Sequence, residues 1–482
     1  MTLVAPSSAV SAAAHPTSTT APATRDRATR DRATRDRAVD LVRAACLIAV
    51  VTVHALMVGA SVSGRDVVLE NALEGWDLFT PFSWFAQMMP LFFILGGFAS
   101  ATHFRRMRQR GMGAADYVAL RLRRLLPVPL AAALAVATVL GAMTLTGLSP
   151  ELVATAGWRI SQPLWFLGVY VLCSACVPLA LRAHERAPRC ALAMLGGAVL
   201  LVDGVRFATG IDALGFANLL FVWLFVQQLG FWLADGRAPK LRLAGWAVAG
   251  IVALMLIGAS PVNLFEALNP PTAPLALLGV VQFAVFARLR PRLAQWAELP
   301  RVRTASDVIN GTAMTIYSWH MPVVVLLAGV LLGVEPLLAE GAGTLLPVPL
   351  SAEWWASRPL WLVAAGLAVA GVVALVARLE RRPGTVAAGS ASGSGAGSRA
   401  DSATIAGPGT RDFAALSTGR ATLAVLSGAG GVLVILAATG ALWAWLVGVL
   451  MLWIAIQMTR PEPAARSLPV RQNANPIPNS TP

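Results

Sequence analysis

Charge is what this chain of 482 residues lacks most. Only 13% of it is charged, against 56% hydrophobic residues and a mean hydropathy of +0.66. A soluble fold of this size would carry more charge over its surface. So little, spread among many apolar runs of about 20 residues, reads as a polytopic membrane protein. Lysine is nearly missing too: Lys240 stands alone among arginines, a bias that suggests a GC-rich bacterial source. Cysteine is scarce, and Cys46, Cys173, Cys176 and Cys190 lie in or beside apolar runs. The Cys173-x-x-Cys176 spacing lacks the histidine or charged neighbours of a metal or redox centre. It reads as small packing residues, with no disulfide framework. Neither a metal cluster nor a phosphate-binding glycine loop is visible.

What charge there is has a strong bias, a net +14. Its location argues against nucleic acid, because the arginines gather in short gaps between apolar runs. Apolar segments fall near 39–60, 79–103, 125–146, 163–181, 191–208, 215–234, 243–260, 273–288, 308–332 and 359–378. A last block over 421–459 is too long for one helix and is expected to split at Gly440. The prediction is an all-α polytopic membrane protein, with a ten-helix bundle over 39–380 and two additional C-terminal transmembrane helices.

With the N-terminus in the cytoplasm, the even-numbered loops should be basic. They are: Arg105, Arg106, Arg108, Arg110, Arg121, Arg123 and Arg124 crowd the second, and Arg288, Arg290, Arg292, Arg301 and Arg303 the eighth. The first and ninth carry acids instead, among them Glu70, Glu74, Asp77 and Glu353. Both termini are therefore expected in the cytoplasm, in a bacterial inner membrane. The start of the chain has no basic n-region or apolar h-region, so it is not a cleavable signal. Residues 1–38, with TRDRA three times over from Thr24, read as a solvated tail. Residues 384–418 read as a Gly/Ser-rich linker and 460–482 as a Pro/Asn-rich tail.

Within the first span, "RAVDLVRAACLIAVVTVHALMVGA", Arg43 stands at the start and His54 deep inside. Eleven residues make three helical turns with about 20° left over, so both side chains share one face, about 16 Å apart along the axis. That face carries a cation near the cytoplasm and an imidazole beyond the midplane. Ionisable groups at such depth are costly and usually mark a site or pathway.

The segment Asp40 to His54, D-x-x-R-x(10)-H, resembles the opening of the integral-membrane acyltransferase 3 family. Further pieces agree in order: "PLFFILGGFAS", "YVALRLRRLLPVPL", "PLWFLGVYVLCSACVP", "LVDGVRF", "NLLFVWLFVQQLGFW", "LNPPTAPLALLG" and "TIYSWHMPVVVL". The resemblance spans roughly 37–380. It implies acyl transfer from a cytoplasmic acyl-CoA, commonly acetyl-CoA, to a hydroxyl acceptor, often a sugar, at the membrane. Catalytic weight then falls on Arg43 and His54. The chemistry agrees, because an alcohol attacks only once a base takes its proton, and a neutral imidazole held out of water suits that task. His54 is read as general base, or as the nucleophile of an acyl-histidine intermediate. Arg43 is read as holding the anionic donor.

Other residues keep two readings each. Arg121 and Arg124 form an R-x-x-R that either forks onto coenzyme A phosphates or is ordinary positive-inside charge. Trp165 is an interfacial anchor or an acceptor-side residue. Asp203 and Arg206, at i and i+3, form a structural ion pair or an acceptor site. Asn218 opens the "NLLFVW" segment on the acceptor side. His320, before Pro322, either meets His54 or serves a helix kink. Many relatives append a soluble hydrolase-like domain where this chain has a linker and two apolar spans. They also have Ser-Gly where it has Gly96-Gly97. The expected partners are membrane lipid, acyl-CoA as donor substrate and a hydroxyl-bearing acceptor, with no bound cofactor. The competing class is a transporter or flippase for a lipid-linked or polar solute, whose path the charged residues would line.

Overall fold

The computed structural model describes residues 36–63, 66–334, 346–381, 417–438 and 440–460. The TRDRA repeats up to residue 35, the linker over 384–416 and the tail from 461 lie outside them. The first helix, α1 (Arg37–Met57), begins where Asp36 accepts from the amides of Ala38 and Val39 at 3.1 and 3.2 Å. Those are donors that a helix start leaves unpaired. A short antiparallel hairpin follows, β1 (Val58–Ser63) and β2 (Asp66–Asn71), in a stretch that reads from sequence as loop.

The span expected over 79–103 is two helices, α2 (Phe79–Ala86) and α3 (Met89–Gln109). The break lies just before Pro90, which has no backbone N–H to give. Gln282 closes it from another helix, donating to the Gln87 carbonyl (2.6 Å) and accepting from the Leu91 amide (2.8 Å). The chain continues as α4 (Ala114–Leu125), α5 (Pro127–Leu145), α6 (Pro150–Ser161), α7 (Leu164–Arg186) and α8 (Pro188–Thr209). Then come α9 (Asn218–Ala234), α10 (Leu241–Leu256), α11 (Ala273–Ala297), α12 (Pro300–Gly311), α13 (Ala313–Val334) and α14 (Ala352–Arg381). The last pair is α15 (Thr418–Ala437) and α16 (Leu442–Met458). Among the described residues ten segments are long and apolar enough to cross a membrane, and α10 and α16 are shorter apolar helices, which matches the expected all-α, multi-pass membrane architecture. The sequence reading missed α4, α6 and α12, each of 12 residues, because a charged segment of that length cannot span and so looks like loop.

Small residues decide the closest crossings, as membrane helices require. Gly97 of α3 and Gly230 of α9 meet backbone to backbone: a Cβ on Gly230 would lie 2.1 Å from the Ile94 carbonyl oxygen. The expected turn at Gly440 is present, with φ 85°, and it rests against Gly157 of α6, where a Cβ would come within 2.4 Å of the Gly440 oxygen. Helices α15 and α16 pack mainly onto α7 and α5, with α6 reached at this contact. Helix α1 lies among α3, α11, α12, α13 and α14, with Ala45 and Ile48 left exposed on its outer side.

The arginine-rich end is tied by a polar network. Glu185 receives Arg108 at 2.7 Å and Arg105 at 3.3 Å, while Arg105 also reaches Asp235 at 2.9 Å. The buried His184 ring bridges Asp235 Oδ2 and Gln228 Nε2, each at 2.9 Å. Burial pushes the Asp235 carboxyl up, but its bonds to His184 and Arg105 outweigh this and hold it below the usual aspartate range. The network joins α3, α7 and α9.

Candidate functional site

Helix α1 is held at both ends, which sets the height of His54. At its start Arg37 donates to Asp307 of α12 (3.0 Å), and Asn310 donates to the Asp40 carbonyl (2.8 Å). Asp40 is buried there, in the first turn, where an acid suits the helix dipole. At its other end Trp361 of α14 donates its indole N–H to the Ala55 carbonyl at 2.7 Å.

Between these anchors the half-buried His54 ring meets His320, which is completely buried on α13. His54 Nδ1 and His320 Nε2 are 3.0 Å apart, with ring centroids at 5.1 Å. The other nitrogen of His320, Nδ1, bonds the Tyr317 carbonyl at 2.7 Å. Of the two sequence readings for His320, the structure has the one in which it meets His54.

A chain of side-chain contacts runs from this pair toward the arginine-rich end. Tyr317 donates its hydroxyl to the Pro163 carbonyl (2.8 Å), and its ring meets Phe166 edge-on at 5.3 Å. Phe166 stacks on Tyr170 at 5.4 Å. The Tyr170 hydroxyl accepts from Arg121 Nη2 at 3.2 Å, and Ser100 accepts from the same nitrogen at 3.0 Å. The Arg121 guanidinium lies 5.9 Å from both the Tyr117 and Tyr170 rings, within cation–π range. All three tyrosines of the chain thus stand at this site. Gly96 leaves room beside one of them, since a Cβ there would touch Tyr170 at 3.4 Å.

Arg121 and Arg124 do not form a fork. Arg121 turns inward and is half-buried, whereas Arg124 is exposed. Arg43 is half-buried on α1 and makes no hydrogen bond or ion pair with the described residues.

Asp203 and Arg206 do not pair either. The buried Asp203 accepts from Asn218 Nδ2 (2.8 Å) and from the Ala273 amide (2.6 Å), so it caps α11 and ties α8 to α9. The competing bonds win because a carboxylate at a helix start satisfies an orphan N–H and meets the positive dipole end. Arg206 packs its stem near Gly215 and Pro270 instead. Trp165 lies in an aromatic cluster with Phe166 (6.3 Å) and Trp223 (5.6 Å). No hydrogen bond among the described residues links the Asp203–Asn218 group to the histidines. Asp203→Ala is therefore expected to lower unfolding stability by about 2–3 kcal/mol, measured in detergent, with activity per folded molecule unchanged.

Reading the sequence missed Tyr317, Tyr170, Ser100 and Trp361, and also Arg358. The last is a buried cation on α14, stacked 4.4 Å from the Trp354 ring and donating to the Trp354 carbonyl at 3.0 Å. Only Tyr317 and Tyr170 carried a signal beforehand, the rarity of tyrosine.

The fold defines a polytopic membrane protein with a contacting pair of histidines inside its bundle. A family model described as an acyltransferase domain, that of acyltransferase 3, matches residues 36–377, and the chain belongs to that family. It is a membrane acyltransferase. No curated protein and no solved structure matches the chain.

Proposed function

We propose that this membrane acyltransferase moves an acyl group, acetyl by preference, from cytoplasmic acyl-CoA to a hydroxyl of a carbohydrate-like acceptor. The observation that carries this is the His54–His320 pair between two spanning helices, with Arg43 on the His54 face of α1 toward the arginine-rich end. By the positive-inside rule that end faces the cytoplasm, which puts both termini there and Arg43 and Arg121 on the donor's side of a bacterial inner membrane.

The step begins with His54 accepting the proton of the acceptor hydroxyl as its oxygen attacks the thioester carbonyl. The tetrahedral intermediate collapses with cleavage of the C–S bond. The proton leaves His54 for the departing thiolate, giving free coenzyme A and an ester. Arg43 and Arg121 hold the donor's phosphates; the planar guanidinium gives two parallel hydrogen bonds that a lysine cannot.

The test uses purified protein in liposomes, radiolabelled acetyl-CoA and a membrane glycan extract. Release of thiol together with labelled ester supports the proposal. Solute movement without any thioester consumption would replace it with a transporter. Arg43→Lys is expected to raise KM for acetyl-CoA about 10-fold with kcat nearly unchanged. An unaltered KM would remove Arg43 from the donor site.

A further inference from the structure

We infer that His320 is a positioning residue that fixes the tautomer of His54, so that His54 presents a bare Nε2 to the acceptor hydroxyl. The inference rests on His54 being the general base, and it names which nitrogen does the work and what sets it.

The argument starts at the Tyr317 carbonyl, whose oxygen can only accept. His320 Nδ1, 2.7 Å away, must therefore carry a hydrogen and donate it. A neutral imidazole has one N–H, so His320 Nε2 is left with a lone pair. His54 Nδ1 lies 3.0 Å from that lone pair, and a bond between them requires the hydrogen to sit on His54 Nδ1. The single N–H of neutral His54 is then spent, and its Nε2 is unprotonated. No hydrogen bond among the described residues engages that nitrogen.

The opposite arrangement would have His320 donate to His54. It needs hydrogens on both His320 nitrogens, hence a buried imidazolium. Among the described residues no carboxylate is hydrogen-bonded to either ring, and the His320 side chain is completely buried, where an unpaired charge is costly. One carbonyl on α13 thereby dictates, through two rings, where the lone pair on α1 points. The same line serves the reaction. When Nε2 takes the acceptor's proton, the new imidazolium still donates from Nδ1 to a neutral partner aligned to receive it. In hydrolases an aspartate orients the histidine. Here a second imidazole supplies the acceptor without placing an anion in the bundle.

The experiment labels histidine with ¹⁵N in the full chain, reconstituted in lipid, and assigns His54 by difference from His54→Ala. The expected solid-state spectrum has a protonated Nδ1 and an unprotonated Nε2 at His54. His320→Leu removes the acceptor and is expected to let the proton redistribute to Nε2. It should cut label transfer from acetyl-CoA to the glycan extract about 100-fold, with KM for acetyl-CoA unchanged. His320→Gln restores an acceptor oxygen near the Nε2 position and is expected to recover most of kcat. A wild-type spectrum with the hydrogen on Nε2 overturns the inference, as does a His320→Leu protein with unaltered tautomer and turnover. If the leucine variant does not fold, the wild-type and glutamine spectra decide alone. Undiminished transfer by His54→Ala sinks the general-base reading instead, a different result from either of these.

Discussion

His54→Ala is expected to lower acyl transfer by about 10²–10⁴-fold while leaving a folded protein. The ring is half-buried, and what the substitution removes is its bond and ring contact to His320. Leaving the His320 acceptor unpaired costs about 1–3 kcal/mol, and a water admitted to the vacated space reduces that. The anchors of α1 do not involve the His54 side chain. Asn310 holds the Asp40 carbonyl and Trp361 holds the Ala55 carbonyl, so backbone position survives the substitution. Turnover and unfolding midpoint therefore separate: the first collapses, the second moves by a few degrees. Donor affinity, measured as KM for acetyl-CoA, stays near the wild-type value because Arg43 and Arg121 are intact. A variant that transfers label at the wild-type rate would show that the imidazole does not carry the proton.

Gly230→Val is expected to have the largest effect on the fold. A Cβ at this position would stand 2.1 Å from the Ile94 oxygen, 2.7 Å from the Phe98 nitrogen and 2.8 Å from the Gly97 Cα. These are backbone atoms of α3, which cannot swing aside as a flexible side chain would, so the two helices must separate. Separation loosens the Phe93–Trp223 stack at 4.6 Å and the space Gly96 leaves for Tyr170, and with it the seat of Arg121. Overpacking costs about 1–3 kcal/mol where neighbours can adjust and more where they cannot. Folded yield after detergent extraction and the unfolding midpoint should both fall sharply. Gly197→Ala and Gly204→Ala on α8 are the controls, since nothing lies within 4 Å of a Cβ at either. Equal behaviour of Gly230→Val and these controls would contradict the close crossing.

The histidine pair shows why part of the site was legible and part was not. Arg43 and His54 lie on one helix, so their common face follows from helical geometry and the eleven-residue interval. His320 arrives from a helix 266 residues further on, and no local pattern states which of the chain's other histidines will meet His54. The mid-helix position of His320 allowed the meeting but served a helix kink equally well. Asp203 gives the opposite lesson. Its neighbour at i+3 offered a plausible pair, yet the carboxylate went to Asn218 and the Ala273 amide, brought close by packing. The R-x-x-R divided for the same reason, one arginine turning into the bundle and the other out of it.

By itself the sequence determined that the chain lives in lipid, where its spans lie, that the block after residue 421 turns at Gly440, and that Arg43 and His54 share one face of the first helix. These depend on hydrophobic run length and helical period, which are local quantities. Tertiary structure alone decided that His54 answers to His320 and that Tyr117 and Tyr170 converge on Arg121. It also decided that glycines bring α3 and α9 into backbone contact. Such facts depend on which distant surfaces meet, and that is settled only when the whole set of helices packs to satisfy its buried polar groups at once.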